Sequence, residues 1–171
     1  MLWPLSQVRK WPKKRNHVNK FEATCPNAIL RAMTSENIAD ALNLLQRINA
    51  TVASESEMAA NERMLCASAL KIMATHNTQM QGAILYVDEQ PVAFTVGDIK
   101  GDTLFIHLEK ADRGVAGAYE AINKYFAATI LAANPHLRYV NREDDAGDAG
   151  LRKAKESYHP VAKLKKFDIT F

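Results

Sequence analysis

The stretch NREDDAGDAGLRKAKESYHP, residues 141–160, places many charges and two glycines between a predicted strand and a predicted helix. The run LRYV before it, residues 137–140, is typical of a short buried strand, and residues 161–171 are a second strand candidate. Leu151, Ala154 and Tyr158 recur on one side of a helix that Pro160 ends. Functional groups are common where a strand ends and a helix begins. The stretch is therefore either a functional site or a solvated loop followed by a basic helix face.

Two amphipathic helices are predicted in the first half of the chain. Thr34 or Ser35 can cap the first helix, and Ser54 or Ser56 can open the second. Helical spacing predicts their buried residues as Ile38, Leu42, Leu45 and Ile48 in the first helix, and Met58, Leu65, Ala69, Ile72 and Met73 in the second.

Three β-favouring runs separated by short turns follow, at residues 83–87, 92–96 and 103–109, and predict an antiparallel meander. In the third run, alternation places Leu104, Ile106 and Leu108 on one face, and Thr103, Phe105, His107 and Glu109 on the other. A long helix from Val115 to Ala133 then ends at Asn134-Pro135.

The complete order is helix, helix, three strands, helix, strand, helix, strand. A meander followed by a strand–helix–strand crossover predicts an α/β protein with a mixed sheet flanked by helices. This element order is that of the acetyltransferase-like (GNAT) fold. We expect one such domain over residues 28–171, with residues 1–27 as a basic connector or the remnant of a preceding domain.

Charge is unevenly distributed along the chain. Residues 1–20 hold six basic and no acidic residues, whereas the rest holds 22 − 6 = 16 basic and 19 acidic residues, or −3. The basic arm, which includes Lys13, Lys14 and Arg15, could bind phosphates of a nucleic acid such as tRNA or an anionic membrane, or could be a solubilising tail. The apolar residues of the whole segment 1–27, Trp3, Trp11 and Phe21, are expected to pack on the domain or on a second chain.

Composition narrows the setting further. No apolar run approaches the ~18 residues that cross a bilayer, and the first residues lack the apolar core of a secretory signal. The two cysteines, Cys25 and Cys66, form no metal-binding pattern and suit a reducing compartment. We therefore expect a cytoplasmic protein with no transmembrane segment and no metal.

Candidate catalytic and ligand-binding residues lie at the end of the meander and at the start of the long helix. The segment from Arg113 to Ala118 stands where acetyltransferase-like proteins bind a pyrophosphate on a helix N-terminus, although Ala116 replaces an expected glycine; the alternative is a plain helix cap. Glu109 or His107 could relay a proton from an attacking amine, or Glu109 could form an ion pair with Lys110. Tyr158 could protonate a leaving group, or could be an aromatic at the edge of the core.

Six motifs along the chain carry a resemblance to a known family: KRNHVNKF (14–21), HLEKAD (107–112), GAYEAIN (117–123), NREDD (141–145), GLRKAK (150–155) and SYHPV (157–161). The motifs at 141–145 and 150–155 are long and specific. With these motifs the chain resembles the DUF2156 family, which contains the C-terminal domain of phosphatidylglycerol lysyltransferase and its stand-alone relatives. The resemblance runs from about residue 13 to the end. Members of this family typically carry two acetyltransferase-like domains in tandem. The membrane-linked branch moves lysine from lysyl-tRNA to a lipid headgroup.

The resemblance implies an acyltransferase-like domain, with aminoacyl-tRNA or acyl-CoA as the donor and an amine or hydroxyl as the acceptor. Such a reaction needs a base, a polarised carbonyl and groups that hold a polyanionic donor. Arg152 and Lys155, three residues apart on a helix, can face one ligand. The candidate ligand-binding residues are Lys110, Arg113, Gly117, Asn123, Asn141, Arg142, Glu143, Arg152 and Lys155. A non-catalytic module that binds an anionic small molecule or a partner chain is the alternative, and a homodimer or a missing first domain is a possible partner.

Overall fold

The computed structural model describes residues 1–4, 12–50, 57–76, 78–143, 145 and 147–163, with side chains from residue 16 in the second range and from residue 60 in the third. Within these ranges six strands and five helices form. They are β1 (Leu2–Pro4), α1 (Pro12–Thr24), β2 (Ile29–Ala32), α2 (Ile38–Ala50), α3 (Glu57–Thr75), β3 (Gln81–Val87), β4 (Gln90–Lys100), β5 (Thr103–Ala111), α4 (Ala118–Ala133), β6 (Tyr139–Asn141) and α5 (Ala149–Glu156).

One mixed sheet contains all six strands in the order β1-β6-β5-β4-β3-β2. The pair β5–β6 is parallel and the other neighbours are antiparallel, which confirms the predicted meander and crossover. Strands β1 and β2 were not predicted, because three or four residues are too few for alternation to be recognised. Of the predicted last strand, Ala162 forms a bridge with Leu2, and residues 164–171 lie outside the described residues.

Helices cover both faces of the sheet. On one face α2 and α3 pack through residues such as Leu44 and Leu70 against Ile84 and Phe94. On the other face α4 packs against the sheet together with α1, whose Phe21 is completely buried. Trp3 of β1 is also completely buried, in contact with the α4 core. Residues from the basic arm therefore contribute to the same core as the rest of the chain, while Trp11 lies outside the described residues.

The predicted buried stripe of α3 is wrong at Leu65 and Ile72, whereas the predicted Met73 packs against the core and the side chain of Met58 lies outside the described residues. Cys66 and Leu70 are buried, whereas Leu65 is 66% exposed and Ile72 is also exposed. A step of one residue rotates a helix by about 100°, so the true stripe lies one position further along the chain. Apolar residues on both sides of this helix, such as Met64 beside Leu65, hide the true orientation from periodicity.

The predicted faces of β5 are also wrong beyond Ile106. Val96 pairs with Leu108 and Gly97 with Ile106, so His107 is an extra residue in a β-bulge. Ile106 packs on the α4 side, but Leu108 packs with the α2 and α3 core. Because one extra residue reverses every later side chain, Glu109 faces α4.

Candidate functional site

The candidate site lies where the pairing of β5 with β6 ends. The two strands pair in parallel only from Thr103 to Phe105, opposite Tyr139 to Asn141, and β5 then continues to Ala111. The β-bulge lies within this continuation. At the bulge Gly97 is in close contact with β5, since a Cβ on Gly97 would lie 2.2 Å from the Phe105 carbonyl oxygen. Only glycine fits at this position, so the two backbones can approach closely. This close approach fixes the direction of the β5 side chains that follow the bulge.

Glu109 is the centre of a buried polar cluster. Its Oε1 accepts a hydrogen bond from Nη2 of Arg142, the first residue after β6, and its Oε2 accepts one from Asn123 Nδ2 of α4 at 2.8 Å. The side chains of Glu109 and Arg142 are 8% and 15% exposed. Burying one of these charges alone would be costly, so each holds the other in place. The predicted Glu109–Lys110 pair does not form, because Lys110 Nζ binds Glu62 of α3 at 2.7 Å.

Tyr158 closes one side of this cluster. The guanidinium carbon of Arg142 lies 5.0 Å from the centre of the Tyr158 ring, and Trp3 packs edge-on against the same ring. Burial raises the pKa of Tyr158 to about 12, and the positive charge of Arg142 only partly offsets that effect. The hydroxyl therefore keeps its proton at neutral pH and can act as a proton donor.

Helix α5 holds the Arg142 backbone and presents a second cation to solvent. Asp148 caps the helix by accepting a hydrogen bond from Leu151 N, and the buried Lys155 donates its Nζ to the Arg142 carbonyl oxygen at 2.6 Å. Arg152 instead lies outside, where its Nε donates to Asp145 at 2.6 Å and lowers the pKa of that carboxyl to about 2. Arg152 and Lys155 thus bind different acceptors, although the charges of both cations lower the pKa of Asp145.

His107 lies between two carboxylates. Its Nδ1 is 2.7 Å from Glu143 Oε1 and its Nε2 is 3.1 Å from Asp98 Oδ1. The hydrogen bond with Glu143 raises the pKa of His107, and burial opposes this effect only in part. Because both ring nitrogens face carboxylate oxygens, neither is open to accept a proton from a substrate. Of the two bases predicted on β5, Glu109 is therefore the better candidate.

Glu143 and Asn141 shape the loop after β6. Glu143 has a positive φ of 57°, and its backbone N–H donates to Asn141 Oδ1 at 2.8 Å. Asn141 itself is buried. These two predicted ligand-binding residues thus fix the turn that brings Arg142 to Glu109. Asp98, the second partner of His107, was not predicted, because only the bulge brings β4 and His107 together in this way.

The N-terminus of α4, which was predicted to bind an anion, contacts helix α1, and this contact was not predicted. The N-cap of α4 is Gly117, with φ of 84°, and a Cβ there would lie 2.3 Å from the His17 carbonyl oxygen of α1. Helix α1 therefore packs directly against the beginning of α4. Arg113 is exposed before this turn. The side chains of Lys13, Lys14 and Arg15, in the first turn of α1, lie outside the described residues.

Among the helices that the structure describes, none combines the length and the apolar character needed to cross a membrane. In the same part of the chain no three His, Cys, Asp or Glu side chains are grouped so that they could hold a metal ion.

Comparison with known proteins identifies the family. Residues 7–170 match the family model described as phosphatidylglycerol lysyltransferase, C-terminal. A conserved protein of unknown function from Bacteroides thetaiotaomicron VPI-5482 is 35% identical, with a TM-score of 0.80 over 94% of this chain and 55% of that one. The chain thus spans about half the length of this relative. No curated protein matches the sequence.

More distant structures share only the fold. The aminoglycoside N-acetyltransferase AAC(6')-Iy, solved in complex with CoA, is 9% identical with a TM-score of 0.58, over 84% of this chain and 94% of that one. The ribosomal-protein-alanine N-acetyltransferase from Brucella melitensis biovar Abortus 2308 is 11% identical with a TM-score of 0.57, over 84% and 99%. Both expectations from the sequence, the GNAT fold and the family, are confirmed. The chain belongs to the family of phosphatidylglycerol lysyltransferase C-terminal domains and is an acyltransferase-like domain.

Proposed function

We propose that this domain transfers an aminoacyl group from aminoacyl-tRNA to an amine or hydroxyl acceptor, with Glu109 as the general base. The observation that carries the proposal is the position of the Glu109 carboxylate, held by Arg142 and Asn123 where β5 and β6 stop pairing. The family description names transfer of a lysyl group, which supports an aminoacyl group as the cargo.

The two hydrogen bonds that orient Glu109 leave room for catalysis. A carboxylate offers about four lone-pair positions, so Glu109 can accept a proton while it keeps its bonds to Arg142 and Asn123. Tyr158, whose hydroxyl remains protonated, would return a proton to the leaving oxygen. His107 would hold the loop of Glu143 rather than exchange protons with the substrate.

The packing of α1 bears on the identity of the donor. An acyl-CoA donor would place its pyrophosphate at the start of α4, where α1 approaches Gly117 closely. Helix α1 also begins with the basic residues Lys13, Lys14 and Arg15. A basic helix at this position favours a larger polyanion such as tRNA, whose phosphates could contact α1 from outside.

A second candidate is an acyl-CoA-dependent N-acyltransferase. It is favoured by the shared fold with AAC(6')-Iy, whose structure contains CoA, and by the protonated Tyr158 beside the Glu109 cluster. In this alternative the helix start from Arg113 to Ala118 binds the pyrophosphate. A third candidate, a non-catalytic binding module, uses the same cations without any transfer.

The test is a transfer assay with radiolabelled lysyl-tRNA, offered a primary amine or phosphatidylglycerol vesicles as acceptor. Glu109→Gln should reduce transfer by about 10²–10⁴-fold, the range expected for loss of a general base. The matched control is Glu89→Gln, the same substitution in a pair with Arg31 whose carboxylate is 68% exposed. Unchanged binding of tRNA by the Glu109 variant would separate loss of chemistry from loss of fold.

Other results would favour the alternatives. Transfer from acetyl-CoA that is abolished by Arg113→Ala, without transfer from lysyl-tRNA, would favour the second candidate. Binding of tRNA without transfer, equal in wild type and Glu109→Gln, would favour the binding module and refute the proposal.

A further inference from the structure

We propose that Asn123 and Glu109 together bind a primary amine of the substrate, an inference that rests on the function proposed above. Asn123 lies in α4 and is 1% exposed. Its Nδ2 donates to Glu109 Oε2 at 2.8 Å, but its buried Oδ1 has no hydrogen-bond donor among the described residues. A buried amide oxygen of this kind is the atom in the cluster that a ligand N–H can satisfy.

The orientation of the Asn123 amide follows from its contact with Glu109. If the amide were rotated by 180°, its oxygen would face the carboxylate oxygen of Glu109, and two acceptors would lie in contact. The amide nitrogen must therefore point at Glu109, and the oxygen must point away from it. The unsatisfied acceptor is thus a consequence of the charge on Glu109.

The neighbouring donors are already engaged. Arg142 donates Nη2 to Glu109 Oε1, and Lys155 donates Nζ to the Arg142 carbonyl oxygen. Two acceptors of the cluster therefore remain for a ligand, Oδ1 of Asn123 and the lone pairs of Glu109 that Arg142 and Asn123 do not use. A hydroxyl brings one donor and can satisfy only one of them, whereas a primary amine or ammonium brings at least two and satisfies both. The negative charge of Glu109 favours the ammonium further.

The amine has two possible sources in the proposed reaction. If it belongs to the acceptor, Glu109 removes one proton from the ammonium and the nitrogen lone pair attacks the ester carbonyl carbon. A C–N bond then forms, the C–O bond to the ribose breaks, Tyr158 protonates the ribose oxygen, and a second amine proton returns to Tyr158. If it belongs to the aminoacyl group, Asn123 and Glu109 hold the donor instead, and the amine itself undergoes no reaction.

Nuclear magnetic resonance of the ¹⁵N-labelled full chain tests this directly, because the Asn123 side-chain NH₂ gives its own pair of signals. Methylammonium should shift these signals, and tetramethylammonium, which has the same charge but no N–H, should bind at least about tenfold more weakly. The signals are assigned by their loss in Asn123→Asp, or, if that variant does not fold, by their contacts with the α4 backbone in the wild type. Equal effects of the two ions, or no shift with either, would overturn the proposal.

Two further probes distinguish the sources of the amine. Glycinamide carries its amine next to a carbonyl, as an aminoacyl ester does, and butylamine carries it on a plain alkyl chain, as the lysyl side chain does. Ethanolamine instead resembles the amine of a lipid headgroup. Tighter binding of glycinamide or butylamine assigns the amine to the donor, and tighter binding of ethanolamine assigns it to the acceptor. If lysyl transfer depends on Glu109 but no amine shifts Asn123, the proposed function stands and this inference falls. If amines shift the Asn123 signals and no transfer occurs, the amine-binding site stands and the proposed function falls.

Discussion

The buried ion pair between Glu109 and Arg142 should dominate the stability of the region around the candidate site. The two side chains are 8% and 15% exposed, and the guanidinium is stacked on the buried Tyr158. Removing one partner leaves an uncompensated buried charge, which costs about 3–5 kcal/mol in comparable cases. We therefore expect Arg142→Met to lower the free energy of unfolding by roughly this amount. Glu109→Gln, which keeps an acceptor for one donor, should cost somewhat less.

The double variant Glu109→Leu/Arg142→Met separates the cost of an unpaired charge from the value of the pair. Apolar residues of similar volume remove both charges together but leave the buried Asn123 amide without its acceptor, so we expect a loss of about 1–3 kcal/mol, less than in Arg142→Met. The interaction energy of the cycle should then be several kcal/mol. As a control, Glu89→Gln breaks an exposed pair with Arg31 and should change stability by about 0–1 kcal/mol.

Urea unfolding followed by tryptophan fluorescence is a suitable assay, because Trp3 is completely buried against the ring of Tyr158 and reports on this region. Single variants that lose less than about 1 kcal/mol would mean that the pair is well hydrated rather than buried. A double variant as unstable as Arg142→Met would mean that shape, not charge, determines the cost. Either result would refute the electrostatic explanation of the cluster.

Three further predictions concern the surroundings of the cluster. Gly117→Ala should lose more stability in urea unfolding than Gly147→Ala. Both glycines have a positive φ, so the backbone strain of an alanine costs about 1–2 kcal/mol at either position, but only a Cβ at Gly117 would contact α1. Equal losses would show that α1 does not pack there. The hydrogen bonds of His107 raise its pKa, so its contribution to stability is complete below the unfolded pKa of about 6.5 and is lost as pH rises through the folded pKa. Between these two pKa values the wild type should lose stability relative to His107→Gln. Parallel pH profiles of the two proteins would show that His107 does not stabilise the fold through Glu143 and Asp98. Tyr158→Phe should reduce lysyl transfer by about 10²-fold if its hydroxyl protonates the leaving oxygen, with tRNA binding unchanged, and full activity would remove it from the mechanism.

Each residue of the Glu109 cluster could be proposed from the sequence, but which of the proposed residues lie in contact could not. Glu109, Asn123, Arg142 and Tyr158 were all candidates, yet they come from four separate segments of the chain. Arg152 was a candidate of equal standing on the same grounds, and it pairs with Asp145 at the surface instead. Which arginine reaches the carboxylate depends on where β6 ends beside β5, and that is a long-range contact.

Local order was accessible from the sequence alone. The meander, the crossover, the long helix after it and the family motifs depend on residues that are neighbours along the chain, and their periods are set by the geometry of a single strand or helix. Tertiary structure alone decided the bulge at His107, the rotation of α3 and the pairing of β1 with β6. The sequence of β5 alternates regularly, but the one extra residue in the bulge turns Glu109 toward α4 and Lys110 toward α3. The face of the sheet on which these side chains lie is set by packing between distant segments, so periodicity along the chain cannot predict it.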